Sequence, residues 1–326
     1  YNQKDFDRMV EEFSEKAEKL GKTVAATTFG LVDKMVDFVG SFVDTNVFNI
    51  FGNYKVEERT FESDVPEKAN LYIEGHNGSI LVKKHLDDKI IIKSKVRSPQ
   101  YNADEILTFE KSNDTISLKL NNKSSISVSY EVFLPPAKFN NVKLENSNGK
   151  IYAEDCNSLS FDCTTKNGAI DLMGINSDKI SVSTRNGRVQ IGYVIGRTIE
   201  INTNNTLIEM KNVKAETVKA FSTNGRLYIE NVLTYENCSE TNLLLKTSYA
   251  GIKVNMNDMD DRAYKVKAQT AYGAINLLIP ELIYHNINKQ SNEKIFVEAE
   301  SNGYVNYSTK VNIYTETVHG DIEVVK

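Results

Sequence analysis

From about Tyr54 onward, apolar and polar residues alternate with a period of two, in runs such as LYIEG (71–75), KIIIKSKV (89–96), ISLKL (116–120) and SISVSYEVFL (125–134). A strand with one buried face reads this way, because successive side chains point to opposite sides of the pleat. Pro99, Pro135, Pro136 and Pro280 punctuate the runs, and no further helical pattern of useful length appears. Residues 3–44 follow another period. Phe6, Val10, Phe13, Ala17, Leu20, Val24, Thr27, Leu31, Met35, Phe38 and Phe42 are spaced by threes and fours, the stripe of an amphipathic helix. Val32, Val36, Val39 and Val43 widen that stripe, and Gly21 allows a break. The spacing predicts a helical segment over 1–53, acting as cap or oligomerisation element, followed by a mainly β domain over 54–326.

Within the β domain a single motif keeps returning, as NGKIYAE (148–154), NGAIDLM (167–173), NGRVQIG (186–192), NNTLIEM (204–210) and NGRLYIE (224–230), with Gly-position steps of 19, 19, 18 and 20 residues. Looser copies read NGSILVK, YAGIKVN, YGAINLL, NGYVNYS and HGDIEVV. A fixed period near twenty predicts a parallel β-solenoid, or β-helix, with rungs of about 19 residues and about ten or more of them. After each turn Ile151 and Ala153, Ile170 and Leu172, Val189 and Ile191, and Leu227 and Ile229 take the inward positions; before it, Phe161 and Cys163, Ile180 and Val182, and Val218 and Ala220 do.

Asn-Gly is also the signal for a type I′ hairpin turn, so an antiparallel meander is the competing fold. Stacking accounts better for like residues at like positions. Asn148, Asn167, Asn186, Asn204 and Asn224 would form an amide ladder, and Thr165, Thr184 and Ser222 recur three residues before the Gly position. The unit at Asn204 is predicted to carry a bulge that turns Ile208 and Met210 inward instead of Leu207. NDMDDR (257–262) and ELIYHNINKQSNEK (281–294) are predicted to protrude as loops. HGDIEVVK (319–326) reads as an open end of the solenoid, where Ile322 and Val324 would meet a partner or another copy.

The run VSYEVFLPPAKFNNVKLENSNGKIYAEDC (128–156), with the repeats through residue 232, resembles the bacterial putative-adhesin family, a domain of unknown function with a β-solenoid fold, over roughly residues 70–326. The resemblance implies association with the cell envelope or surface. It carries over no catalytic residue.

Composition narrows the chemistry. The 326 residues hold 25% charged side chains and a formal net charge of −5, with no Lys/Arg block, so nucleic acid is not an expected partner. Cys156, Cys163 and Cys238 have no zinc-like spacing and read as free thiols. His76, His85, His285 and His319 are scattered, and DMDD (258–261) lacks the Gly and Glu of a calcium loop. No metal and no cofactor is expected. Asp33, Lys34, Asp37 and Asp44 interrupt the apolar stretch 24–51, which therefore does not read as a spanning helix, although peripheral membrane contact through the N-terminal helix is a third reading of it. The chain opens at Tyr1 rather than Met, which points to a removed start segment and leaves the question of a leader open.

An enzymatic β-helix would need clustered carboxylates on an outward face. The outward column after the turn reads Tyr152, Asp171, Gln190, roughly Ile208, Tyr228, Lys253 and Asn276, with Arg185 and Arg188 near Asp171. Tyr152, Asp171, Gln190 and Tyr228 form the candidate binding face, and no residue is assigned a catalytic role. The expected function is a non-enzymatic surface binding module for a protein or glycan. The alternative is a scaffold or envelope-stress protein that forms a homo-oligomer through its N-terminal helix; a polysaccharide-active enzyme is disfavoured.

Overall fold

The computed structural model describes residues 55–257, 261–289 and 294–326. The helical reading of residues 1–53 lies outside the described residues, as does most of DMDD. Lys55–Lys326 is one unit, in which 23 strands pair into a single continuous sheet. That sheet winds as a parallel solenoid with two strands per rung.

One face stacks, in spatial order, β6 (Thr115–Leu120), β2 (Asn70–Glu74), β8 (Lys138–Glu145), β10 (Asn157–Thr165), β12 (Asn176–Thr184), the second halves of β13 (Val189–Thr203) and β14 (Ile208–Phe221), β16 (Glu240–Lys246), β22 (Thr309–Glu316) and β18 (Arg262–Thr270), all parallel. The other stacks β7 (Ser127–Leu134), β3 (Ile80–Lys84), β9 (Ile151–Glu154), β11 (Ile170–Met173), the first halves of β13 and β14, β15 (Leu227–Thr234), β17 (Ile252–Asn255), β23 (Ile322–Val325) and β19 (Ile275–Leu278). These make ten rungs. The predicted solenoid is the observed fold, and the hairpin meander is not.

Inward residues build one core along the axis. Ile151, Ile170, Val189, Ile208, Leu227 and Ile252 form one buried column, and Phe161, Ile180, Ile199, Val218 and Leu243 form the facing one. Each such side chain contributes roughly 1.5–3 kcal/mol by leaving water. Ile208 and Met210 face in as expected, but without a bulge. The pairing Gln190↔Glu209↔Tyr228 keeps the rung in the same 19-residue register as its neighbours, with Asn205-Thr206 in the place expected of Asn204-Asn205.

The two corners of a rung work differently. At the Asn-Gly corner, Gly149, Gly168, Gly187 and Gly225 are not in the left-handed region, so these are not type I′ turns. A Cβ there would lie 1.6–1.8 Å from the carbonyl oxygen of the preceding rung, at Gly78, Gly149, Gly168 and Thr206 respectively. Glycine is needed because two backbones touch. A hydroxyl column locks the same corner: Thr165, Thr184 and Thr203 donate to the carbonyls of Gly149, Gly168 and Gly187, and Ser222, Thr247, Thr317 and Thr270 repeat the bond on later rungs. The opposite corner does use positive φ, at Asp155, Gly174, Tyr193, Asn212 and Asn231, each 19 residues after the last. Asp and Asn tolerate that conformation better than most residues.

The ends depart from chain order. β2 and β3 sit between β6/β7 and β8/β9, and β22 and β23 sit between β16/β17 and β18/β19. HGDIEVVK is therefore not an open end: Ile322 and Val324 are fully buried, because β23 is paired on both sides. ELIYHNINKQSNEK is also not a loop as far as it is described. β20 (Leu282–Lys289) and β21 (Ile295–Ser301) form a hairpin that adds antiparallel to β18. NGYVNYS is not a rung either, since Gly303 at φ 70° leads into a 3-10 turn at Tyr304–Asn306.

Candidate functional site

The four residues expected on a binding face do share one outward column, in register Tyr152↔Asp171↔Gln190 and on to Tyr228. The member between Gln190 and Tyr228 is Glu209, not Ile208, because the rung is not bulged. Tyr152, Asp171 and Gln190 are buried, while Tyr228 is half-buried. Each has a polar atom engaged within the sheet, although Asp171 Oδ1 is buried without a hydrogen-bond partner. Tyr152 Oη donates to Glu154 at 2.7 Å, Arg188 reaches Asp171 at 3.5 Å, Gln190 donates to Glu209 at 3.2 Å, and Tyr228 Oη donates to Glu230 at 2.9 Å. Arg185 stays exposed at the turn. Burial and then the Glu230 carboxylate push the Tyr228 hydroxyl up to about 12. Burial raises Tyr152 further still, reinforced by Glu154.

The carboxyl groups that shift tell the same story. Burial would raise Glu145 and Glu316, yet hydrogen bonds from Lys143 and Tyr72, and from Lys246 and Tyr314, hold both below the usual carboxylate range. Glu216 is lowered by its hydrogen bond with Arg197 on the neighbouring rung, at 2.5 Å. These are charges engaged in holding rungs together, the opposite of a general acid poised near neutrality. Among the described residues no group of three His, Cys, Asp or Glu is placed to hold a metal ion.

A different column stands out at the Asn-Gly corner. Six asparagine side chains form one unbroken ladder: Asn148 donates to Asn77 (2.7 Å), Asn167 to Asn148 (2.5 Å), Asn186 to Asn167 (2.7 Å), Asn205 to Asn186 (2.5 Å) and Asn224 to Asn205 (2.7 Å). The ladder was legible in the sequence from Asn148 to Asn224, except that Asn205 rather than Asn204 is its rung and that Asn77 extends it by one member. Asn77 ends the ladder as acceptor only, its own amide donating to Ile126 O at 3.1 Å, while each of the other five spends one N–H inside the ladder and keeps further hydrogen-bonding capacity toward solvent.

After Asn224 the same position is aromatic. The backbone N–H groups of Tyr249, His319 and Tyr272 donate to Thr223, Ser248 and Val318 of the preceding rungs, at 2.9, 2.8 and 2.7 Å, just as those of the asparagines do on theirs. Their rings stack in that order, with Tyr249–His319 centroids 5.5 Å apart at 10° and His319–Tyr272 centroids 4.6 Å apart at 9°. Strands repeat every ~4.8 Å, close to a ring-stacking distance, so the backbone alone sets this stack. It stands in solvent: Tyr249 is 61% and Tyr272 65% exposed, and His319 is exposed too. The signal was in the looser copies YAGIKVN, YGAINLL and HGDIEVV, whose first letters are these rings. Chain order hides the stack, because His319 reaches its place between the tyrosines only through the insertion of β23.

The fold and this edge define a parallel β-solenoid whose turn column passes from amides to stacked rings. Residues 68–325 match the Toastrack DUF4097 family, and the chain belongs to it. Solved structures similar to it include a putative adhesin from Bacteroides fragilis, at 13% identity and a TM-score of 0.43 over 82% of this chain and 97% of that one. Another is a putative adhesin from Parabacteroides merdae, at 10% identity and a TM-score of 0.40 over 84% and 98%. No curated protein matches the chain. No helix among the described residues is long and apolar enough to cross a membrane.

Proposed function

We propose that this chain is a non-enzymatic, adhesin-like binding module of the bacterial cell envelope or surface, and that it holds a glycan along its Asn-Gly edge. The observation that carries the reading is the exposed Tyr249–His319–Tyr272 stack in line with the amide ladder. Sugar rings offer apolar C–H faces, which suit aromatic rings, and rows of hydroxyls, which suit amides; this edge presents both chemistries in one column. The downward-shifted carboxyl groups support binding over turnover. The names of the similar structures agree with the reading without carrying it.

The test is retention of the intact chain on immobilised bacterial envelope polysaccharide. Replacing Tyr249, His319 and Tyr272 together by Ala should lower retention by about tenfold or more, since stacking contacts are worth about 0.5–1.5 kcal/mol each beyond burial. Unchanged retention with native circular dichroism would refute the glycan assignment. A second reading, a scaffold that assembles through the solenoid end rather than through the N-terminal segment, is favoured by a separate observation, the far end of the core left uncovered among the described residues.

A further inference from the structure

The two ends of the solenoid are built differently. At the β6/β7 end the core is closed. The short helix α1 (Ala103–Ile106) buries Ala103 and Ile106 completely, and Phe61 stacks on Phe109 with centroids 5.0 Å apart. The outermost strand there, β1 (Lys55–Asp64), exposes Lys55, Glu58, Glu62 and Asp64. It is tied to α1 by Arg59 on Asp104 at 2.8 Å and by Glu57 accepting from Ala103 N–H at 2.9 Å. Charged side chains on an edge strand deter further strand addition.

The far end has none of these devices among the described residues. β19 pairs only with β23, and β20 pairs only with β21. Ile275, Leu277 and Leu282 are only partly buried against the core, and the end exposes Leu278 at 58%, Ile283 at 45%, Tyr284 at 47% and Ile287 at 66%. β20 contains no carboxylate and has its one lysine, Lys289, at its last position, and His285 is engaged with Glu300 of β21 at 3.1 Å. A solenoid end left this way invites another strand.

We propose that a second copy of this chain covers this end, with β20 meeting β20 across a two-fold axis. The charge pattern selects that occupant. Two-fold pairing sets apolar residues against apolar residues, whereas head-to-tail addition would place Ile283 and Ile287 against the charged, α1-tied β1 edge. Two-fold pairing occupies the β20 edge of both copies at once. The assembly therefore stops at two and does not grow into a filament.

Sedimentation velocity on the full chain tests this. A dimer is expected, and Ile287→Lys or Ile283→Lys should raise its dissociation constant by about tenfold or more, because the axis brings each new charge toward its own copy. Both positions are exposed, so native circular dichroism and melting temperature should persist in the variants. Thr60→Arg on β1 should change nothing. A chain monomeric up to about 100 μM, the weak end of specific association, overturns the proposal. So does a dimer indifferent to both lysine variants, a concentration-dependent filament, or dissociation caused by Thr60→Arg. Glycan retention reads the Asn-Gly edge separately, so either proposal can fail without the other.

Discussion

Replacing Gly168 tests the physical account of the Asn-Gly corner. A Cβ at that position would lie 1.8 Å from Gly149 O and 2.3 Å from its carbonyl carbon, where real contacts do not fall below 3.0 Å. The two rungs have to part locally by about 1.2 Å or more, since neither backbone can yield otherwise. Four hydrogen bonds cross that seam: Thr165 Oγ1 to Gly149 at 3.1 Å, Lys166 and Asn167 N–H to Ser147 at 3.0 Å each, and Asn167 Nδ2 to Asn148 at 2.5 Å. Stretching them past ~3.5 Å forfeits most of each, at about 1 kcal/mol apiece. Gly168→Ala should therefore cost about 3 kcal/mol. Gly168→Asn should cost as much, because the clash begins at Cβ. A type I′ turn makes the contrary prediction, since Asn adopts positive φ readily and would be almost neutral there. Gly174, at φ +63°, supplies the internal contrast. Its column already holds Asp155, Asn212 and Asn231, and the close contact of an added Cβ is with a movable side-chain end, Asp155 Oδ1 at 2.5 Å, rather than with backbone, so Gly174→Asn should cost only about 1 kcal/mol. Urea unfolding followed by far-ultraviolet circular dichroism measures all three. Gly168→Asn within about 1 kcal/mol of the parent, or Gly174→Asn costlier than Gly168→Asn, would refute the close-approach reasoning.

Other consequences follow from the same geometry. Burial, with Asp155 adding, pushes the Cys156 thiol up to about 12, and burial raises Cys163 as well, whereas Cys238 is partly exposed. Ellman's reagent at about pH 8 should thus titrate one thiol in the native chain and all of them in denaturant; rapid reaction of a second native thiol would contradict the buried placement. Asn186 lies mid-ladder, donating to Asn167 and accepting from Asn205, whereas Asn224 has an amide neighbour on one side only. Asn186→Ala should cost about 1 kcal/mol and Asn224→Ala about half that, and equal costs would argue against the ladder as a source of stability. Because Glu145 and Glu316 have folded pKa values below their unfolded ones, their contribution is complete above about pH 4.3 and is lost as pH falls through the lower folded values. Melting temperature should drop between about pH 5 and pH 3, and a rise over that interval would reverse the assigned sign.

How much of this was legible depends on whether the information lies along the chain or across it. The alternation around Ile170 and Leu172 and the 19-residue recurrence are local, and they suffice for strands, inward faces and parallel stacking. The misplacement of Asn204 came from two adjacent asparagines competing for one ladder position. The second corner would have settled it, because Asp155, Gly174, Tyr193, Asn212 and Asn231 keep a strict step of 19. Alternation also says which side of the sheet Tyr152, Asp171 and Gln190 take, but not that these three are buried there while Tyr228 stays half-exposed.

Rung order is what a linear period cannot encode. A strand at the end of a stack has one neighbour and half its backbone groups unpaired, which is costly at the place where a chain frays most easily. The first and last rungs in chain order avoid that arrangement in the same way. The first rung, β2/β3, is overlaid by β6/β7, and the last, β22/β23, is slotted inside β18/β19, so each has partners on both sides. Those insertions also make the surfaces on which the functional readings rest. Placing β23 beneath β19 carries His319 between Tyr249 and Tyr272, and it leaves β19 and the β20–β21 hairpin as the outermost layer. The aromatic edge and the uncovered end thus have one structural cause, a C-terminal strand that turns back into the stack instead of finishing it.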